Sequence, residues 1–266
     1  MSNWARYFTE ADDLIPSVVT VSGSAEDTGY PASSLILPYG STNRPAKLTT
    51  TTGWWKFIFA GPVSPLYAML TYHNWDAGRA VFLQGNSVDN FAAPPFQQAF
   101  VIPTHHADGW PVNSLLTLTG APSYRYWLLI SEEANSLTLD LRRLHLFSAI
   151  HEMPADVRFG VSFRETHRDI AHETGLGLET VYDLGGKERE IDGELPSVGA
   201  GAETFQEIRR AVHGRVFPWV FVPDFRVNDP WWVRFTEPTG SYVHEDANYY
   251  PQRFAIREVA RGLPWP

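Results

Sequence analysis

The chain has no cysteine, only three lysines, and no apolar run near the length of a membrane span among its 266 residues. Without cysteine there is neither a disulfide nor a thiolate zinc site, which suits a reducing compartment. Without a long apolar run, no membrane insertion through a helix is expected. The opening "MSNWARYFTEADD" is polar and acidic and lacks a basic-then-apolar leader. The expectation is a soluble chain, made in a cytoplasm and not exported through a cleaved signal. Excess positive charge is also missing. A formal net charge of −9 argues against affinity for DNA or an anionic membrane surface.

Signatures of catalysis are missing too. There is no G-x-x-x-x-G-K-[ST] loop and no G-x-S-x-G elbow. His151–Glu152 opens no zinc helix, because position 155 is Ala and Pro154 interrupts the turn. His105, His106 and Asp108 in "THHADGW" are candidate metal ligands only if a loop gathers them, since adjacent strand side chains diverge. A solvated loop is the plainer reading. His167 and His172 read as exposed polar residues. "GLG" at 175–177 lacks a third glycine at dinucleotide spacing and no helical pattern follows it. The expectation is therefore no enzyme, no catalytic residue, no cofactor and no metal.

What is present is an all-β texture: short apolar–aromatic runs between turn residues, with 20 Gly and 20 Pro. Apolar residues at 44% and aromatics at 14% supply a core. The runs are "SVVTVSG" (17–23), "WWKFIFAG" (54–61), "LYAMLTYH" (66–73), "RAVFLQG" (79–85), "YRYWLLIS" (124–131) and "LTLDLRRLHLF" (137–147). "HNWDAG" between the third and fourth is a polar turn, with its second strand returning. In the last run the leucine phase shifts around Arg142–Arg143, which predicts a bulge. Ten Trp, and Lys at three against 18 Arg, fit an assembling surface or a GC-rich genome equally well.

After residue 150 the pattern changes, and "SAIHEMPADV" (148–157) reads as a linker. "VRFGVSFRETHRD" (157–169) alternates as a strand. "LETVYDLGGKEREIDGEL" (178–195) reads as a hairpin turning near Gly185–Gly186. Its acidic set, Glu179, Asp183, Glu188, Glu190, Asp192 and Glu194, is either a solvated face or a surface repelling a passing polyanion. Phe205, Ile208 and Val212 mark a helix that Gly214 stops. Strands follow at 215–223, 231–238 and 252–262, and Pro218 marks the first as an edge or a bulge. The reading is two domains, a β-sandwich over 1–150 and an α+β domain of antiparallel strands with one helix over 151–266.

The first half resembles the galactose-binding-like (discoidin-type) β-sandwich. The likeness rests on "YPASSLILP" (30–38), "WWKFIFAG", the strand–turn–strand of 66–85, and the closing pair "YRYWLLIS" and "LTLDLRRLHLF". It departs in lacking the cysteines that tie the termini of many extracellular members. Members bind sugars through variable loops, so no sugar-binding residue carries over. Among the aromatics, Trp75, Trp110 and Tyr124 are the candidate glycan or partner contacts, against a plainer role in core or interface.

The second half resembles the tail-tube-type fold of long-tailed bacteriophages, especially distal tail and minor tail proteins. The likeness rests on "ETFQEIRRAVHG", "RVFPWVFVPDF", "WWVRF" and "RFAIREVARG" in that order. It implies a structural virion protein at the tail tip, synthesised in the host cytoplasm. Copies would form a ring, with six the expected number, that extends the tail tube and connects it to a baseplate or receptor-binding apparatus. Its partners would be itself, the tube protein and the tail hub, and DNA would pass through without specific binding. The 178–195 segment would be an assembly arm or lumen-facing element. The alternative function is a carbohydrate-binding module that attaches to host surface glycans.

Overall fold

The computed structural model describes residues 6–37, 45–104, 113–120, 122–152, 162–173, 179–195, 207–213, 219–222, 230–236 and 252–258. In chain order its strands are β1 (Arg6–Phe8), β2 (Val18–Gly23), β3 (Ala46–Lys47), β4 (Gly53–Val63), β5 (Tyr67–His73) and β6 (Ala80–Asn86). Next come β7 (Phe96–Val101), β8 (Ser114–Thr117), β9 (Tyr124–Ser131), β10 (Asp140–Phe147) and β11 (His151–Glu152). The last are β12 (Ser162–Glu173), β13 (Glu179–Leu195), β14 (Trp219–Val222), β15 (Trp231–Phe235) and β16 (Gln252–Glu258). The fold is mainly β, and every pairing among these strands is antiparallel.

A five-stranded sheet, β2-β4-β9-β6-β7, faces a four-stranded sheet, β3-β10-β5-β8. Period-two alternation explains the sandwich. Trp55, Phe57 and Phe59 of β4, Trp127 and Leu129 of β9, and Val81 and Leu83 of β6 point inward. They meet Ala68 and Leu70 of β5 and Leu141, Leu144 and Leu146 of β10 in one buried cluster. At the β7 side the Gln98 amide spans the gap, donating to Thr117 O (2.7 Å) and accepting from Thr119 N (3.1 Å). The sandwich is the architecture that the first resemblance implies, with two differences in connection. β5 and β6 lie in opposite sheets, so 74–79 crosses between layers and does not close a hairpin. β9 and β10 likewise lie in opposite sheets.

The expected bulge at Arg142–Arg143 is corrected. β10 keeps one register against β5, with Leu141 opposite His73, Arg143 opposite Thr71 and Leu144 opposite Leu70. The phase shift in the leucines is real, but both strands turn over together, and Tyr72 takes the left-handed conformation (φ 49°) at the changeover. Matched inversion leaves no residue unpaired, whereas a bulge would leave one.

A third sheet has seven strands, β11-β1-β14-β15-β16-β13-β12. Where β14 and β15 run, both of its faces are buried, which makes sense of the adjacent tryptophans. Trp232, with Val220 and Val222, packs on Phe8, Met69 and Phe147 toward the four-stranded sheet. Trp231, with Trp219, Phe221 and Val233, packs on the other face with Ile208 and Val212. Residues 207–211 are helical, as the spacing predicts, and His213 adopts φ 51° just before Gly214. Phe205 and Gly214 lie outside the described residues. So does Pro218, but the strand after it is no edge, since β14 sits between β1 and β15. Strand β1 joins this sheet and not the sandwich, so the expected 1–150 unit contributes its first strand to the layer beyond residue 150.

The expected hairpin at 178–195 is also corrected. β13 is one strand of 17 residues. It pairs with β12 from Glu179↔Glu173 to Asp192↔Ser162, and its register shifts between Lys187↔His167 and Asp183↔Asp169. Leu184, Gly185 and Gly186 thus oppose Arg168 alone. The glycine pair makes a bulge where a turn was expected, because β12 supplies a continuous partner on both sides of it.

Candidate functional site

Three side chains were singled out as glycan contacts, and the structure redistributes them. Trp75 is fully buried (0% exposed) and sits edge-on to Trp55 at 5.9 Å and against His73 at 5.3 Å. It is a core residue, and its expected role as a contact is withdrawn. Tyr124 is half-buried against the same core, between Phe96 (6.3 Å) and Trp127 (6.0 Å). Its ring fills the space over Gly85, where an added Cβ would lie 2.5 Å from Cδ2. Trp110 lies outside the described residues, as do His105, His106, Asp108 and the 175–177 glycines.

The turn around Trp75 is locked as architecture. Asn74 donates from Nδ2 to Thr138 O (2.7 Å) and accepts from Asp140 N (2.9 Å). Asn135 accepts from Asp76 N (2.7 Å) and donates to Asn74 O (3.0 Å). The Asp76 carboxylate accepts from Ser136 N (2.7 Å) and Oγ (2.6 Å). These bonds staple the crossing 74–79 to the segment before β10 and occupy the polar side chains of Asn74 and Asp76.

Asp13, His145 and Thr71 are ordered like the members of a nucleophilic triad, with His145 Nδ1 2.9 Å from Asp13 Oδ2 and Nε2 3.4 Å from Thr71 Oγ1. All three are buried, with the His145 ring between Phe147 and Trp232, so no substrate reaches them. Burial opposes ionisation of Asp13, but His145, Arg143 and the Ile15 N–H outweigh it and hold the carboxyl below its usual range. Burial pushes His145 down to about 4, against the pull of Asp13. This is a polar anchor between sheets. Sequence reasoning missed it, although Thr9 and Asp12 stand at capping-box spacing beside it and do form that box. His151, rejected as a zinc ligand, stacks on Tyr7 (4.9 Å) and pairs with Asp12 (2.9 Å).

The acidic set lies along β13 by register. Glu179 stands opposite Glu173, Asp183 opposite Asp169, and Glu188 opposite Thr166. Glu190 falls between Arg164 and Arg257, with its Oε1 4.0 Å from Arg257 Nη1. Asp192 is flanked by Ser162 and Ala255, and Glu194 by Arg253. Among the described residues no group of three His, Asp or Glu is arranged to hold a metal.

Among the described residues, the outer face of the five-stranded sheet carries a partly exposed aromatic row. An antiparallel sheet with one wet face ordinarily turns polar side chains outward. Here the outward register rows are Trp54–Ile130–Phe82–Ala99, Ser22–Lys56–Leu128–Gln84–Gln97 and Thr20–Ile58–Tyr126–Asn86. One row is thus apolar and aromatic, and its neighbour is mostly polar. Trp54, Phe82, Tyr126 and Ile130 are all half-exposed, and Val101 beside them is 73% exposed. The Lys56 ammonium lies 5.8 Å from the Trp54 ring and pairs with Asp89 at 2.9 Å. Asp89 belongs to the β6–β7 connection, so that loop is tied back over β9, where Leu128 is buried. Gln84 donates to Gln97 at 2.8 Å. Arg125 lies over the Tyr126 ring at 5.3 Å and donates to Phe59 O at 3.0 Å.

No family model matches the chain, and no curated protein matches it. Solved structures do. A mutant of the lectin-binding domain of Lectinolysin, complexed with Lewis b, is 13% identical, with 53% of this chain and 99% of that one aligned and a TM-score of 0.41. The family 32 carbohydrate-binding module of C. perfringens NanJ, in complex with galactose, is 10% identical over 54% and 99%, with a TM-score of 0.37. The corresponding module of AlyQ, in complex with 4,5-unsaturated mannuronic acid, is 14% identical over 50% and 96%, with a TM-score of 0.37. At these identities and scores a likeness transfers neither a ligand nor a site.

Proposed function

We propose that the chain is a non-enzymatic carbohydrate-binding protein of galactose-binding-like architecture, and that the outer face of the five-stranded sheet is its platform. One observation carries this reading: the half-exposed Trp54 row runs beside a row of hydrogen-bonding side chains. A pyranose presents an apolar C–H face and a polar hydroxyl rim. The ring of Trp54 meets the first, and Lys56, Asp89 and Gln97 meet the second. From Trp54 to Ile58 the face runs about 13 Å along β4, four residues at strand rise. That length accommodates more than one sugar unit. A glycan array probed with the intact chain tests the proposal. The expected result is binding to a defined set of saccharides, weakened about tenfold by Trp54→Ala. A uniformly negative array, or full binding by the variant, contradicts it.

A second reading, assembly into a tail-tip ring in a virion, is favoured by a separate observation. Among the described residues β16 pairs with β13 only over 190–195, and β12 and the remainder of β13 continue beyond it as a two-stranded ribbon. A two-stranded ribbon is marginal alone in water, and among the described residues β12 is the last strand of the sheet. Both features are relieved by a neighbouring copy. In this reading the sandwich faces outward, and the tube protein and tail hub are the further partners.

A further inference from the structure

We infer that the saccharide bound on this face is acidic, bearing carboxylate or sulfate groups that Lys56 and Arg125 receive. The inference rests on the carbohydrate reading above and adds the class of ligand. It comes from the distribution of charge. The chain carries a net charge of −9, with 30 acidic residues. Yet β2, β4, β6, β7 and β9 together hold only two charged residues, Lys56 and Arg125, both positive. Each cation stands beside an outward aromatic ring, Lys56 by Trp54 and Arg125 by Tyr126. Arg125 is three residues along β9 from Leu128, the register partner of Lys56, so the two positions stand roughly 10 Å apart along the strand direction, and the Arg125 guanidinium lies over the outward Tyr126 ring. Among the described residues, the carboxylate paired with Lys56 at this face is Asp89, which arrives from the β6–β7 loop and is itself well exposed. Asp89 occupies the ammonium in the manner that a ligand carboxylate would. An acidic sugar stacked on Trp54 takes the place of Asp89 at Lys56 and presents its next anionic group toward Arg125. A neutral sugar has no such exchange to make.

The test is titration of the intact chain with an oligogalacturonate, a sulfated galactan oligomer and a neutral galactan oligomer of equal length. At least one acidic oligomer is expected to bind about tenfold more tightly than the neutral one at low salt, and to lose that advantage as salt rises. Arg125→Gln is expected to weaken acidic binding about fivefold and leave neutral binding unchanged, and Lys56→Gln to weaken acidic binding about fivefold and neutral binding by less. Asp89→Asn is expected to tighten acidic binding by about threefold, because it frees the ammonium, an effect opposite in sign to any general damage to the fold. Equal affinity for neutral and acidic oligomers, or unchanged acidic binding in both cation variants, overturns the inference and leaves the carbohydrate reading standing. No binding of any oligomer overturns both.

Discussion

At the scale of single residues, the tryptophans divide sharply. Trp75 fills the core and Trp54 stands on the outer face. Trp75→Ala is expected to lower stability by about 3–5 kcal/mol through the cavity it leaves. In the fraction that stays folded, saccharide affinity should be unchanged, and chemical denaturation with a parallel binding titration checks both halves of this. The composition announces many aromatics but not their direction. In "WWKF" alternation requires that Trp54 and Trp55 face opposite ways, and only the packing partners decide which one is wet. The pair Asp13 and His145, separated by 132 positions, had no local signature at all. Its consequence is a pH dependence. Folding depresses His145 from 6.5 to about 4, so between those values the unfolded chain holds a proton that the folded chain lacks. Stability therefore falls as pH drops from about 6.5 toward 4, and thermal melts should show a shallower fall in His145→Gln. An identical slope in the variant would remove His145 as the cause. Asp140 works the other way. Burial raises it to about 7 despite Lys47 and Arg142, so it costs stability as pH rises toward neutrality.

At the scale of elements, strands were legible and their partners were not. The runs at 54–61, 66–73, 79–85 and 124–131 each fall on an observed strand to within a few residues, because period-two alternation is local. Pairing is decided by packing across the whole chain. "LYAMLTYH" and "RAVFLQG" read as neighbours but lie in facing layers. The same holds for the acidic segment. Gly185–Gly186 between two alternating runs is a sound turn signal, yet β12 offers a single long partner and the glycines become a bulge. The coupled phase inversion at Tyr72 and Arg142–Arg143 was visible on β10 alone, since the matching change on β5 is hidden in "LTYH".

At the scale of the molecule, three sheets stack in order, and the four-stranded sheet is covered on both sides. The proposed saccharide platform is the outer face of the five-stranded sheet, and the proposed assembly edge is β12. If assembly uses that edge, light scattering after size exclusion should find multiples of the 30.0 kDa chain that grow with concentration. A monomer at every concentration would count against the ring. The central claim concerns the other surface. Its most direct test follows backbone amide shifts by NMR while the intact chain is titrated with a saccharide that it binds. The account predicts that the largest changes map to 54–58, 80–84, 97–101 and 126–130, the strands of the outer face. Changes confined to the crossing 74–79 and the segment 132–139 would place the ligand at the loop end of the sandwich and contradict it.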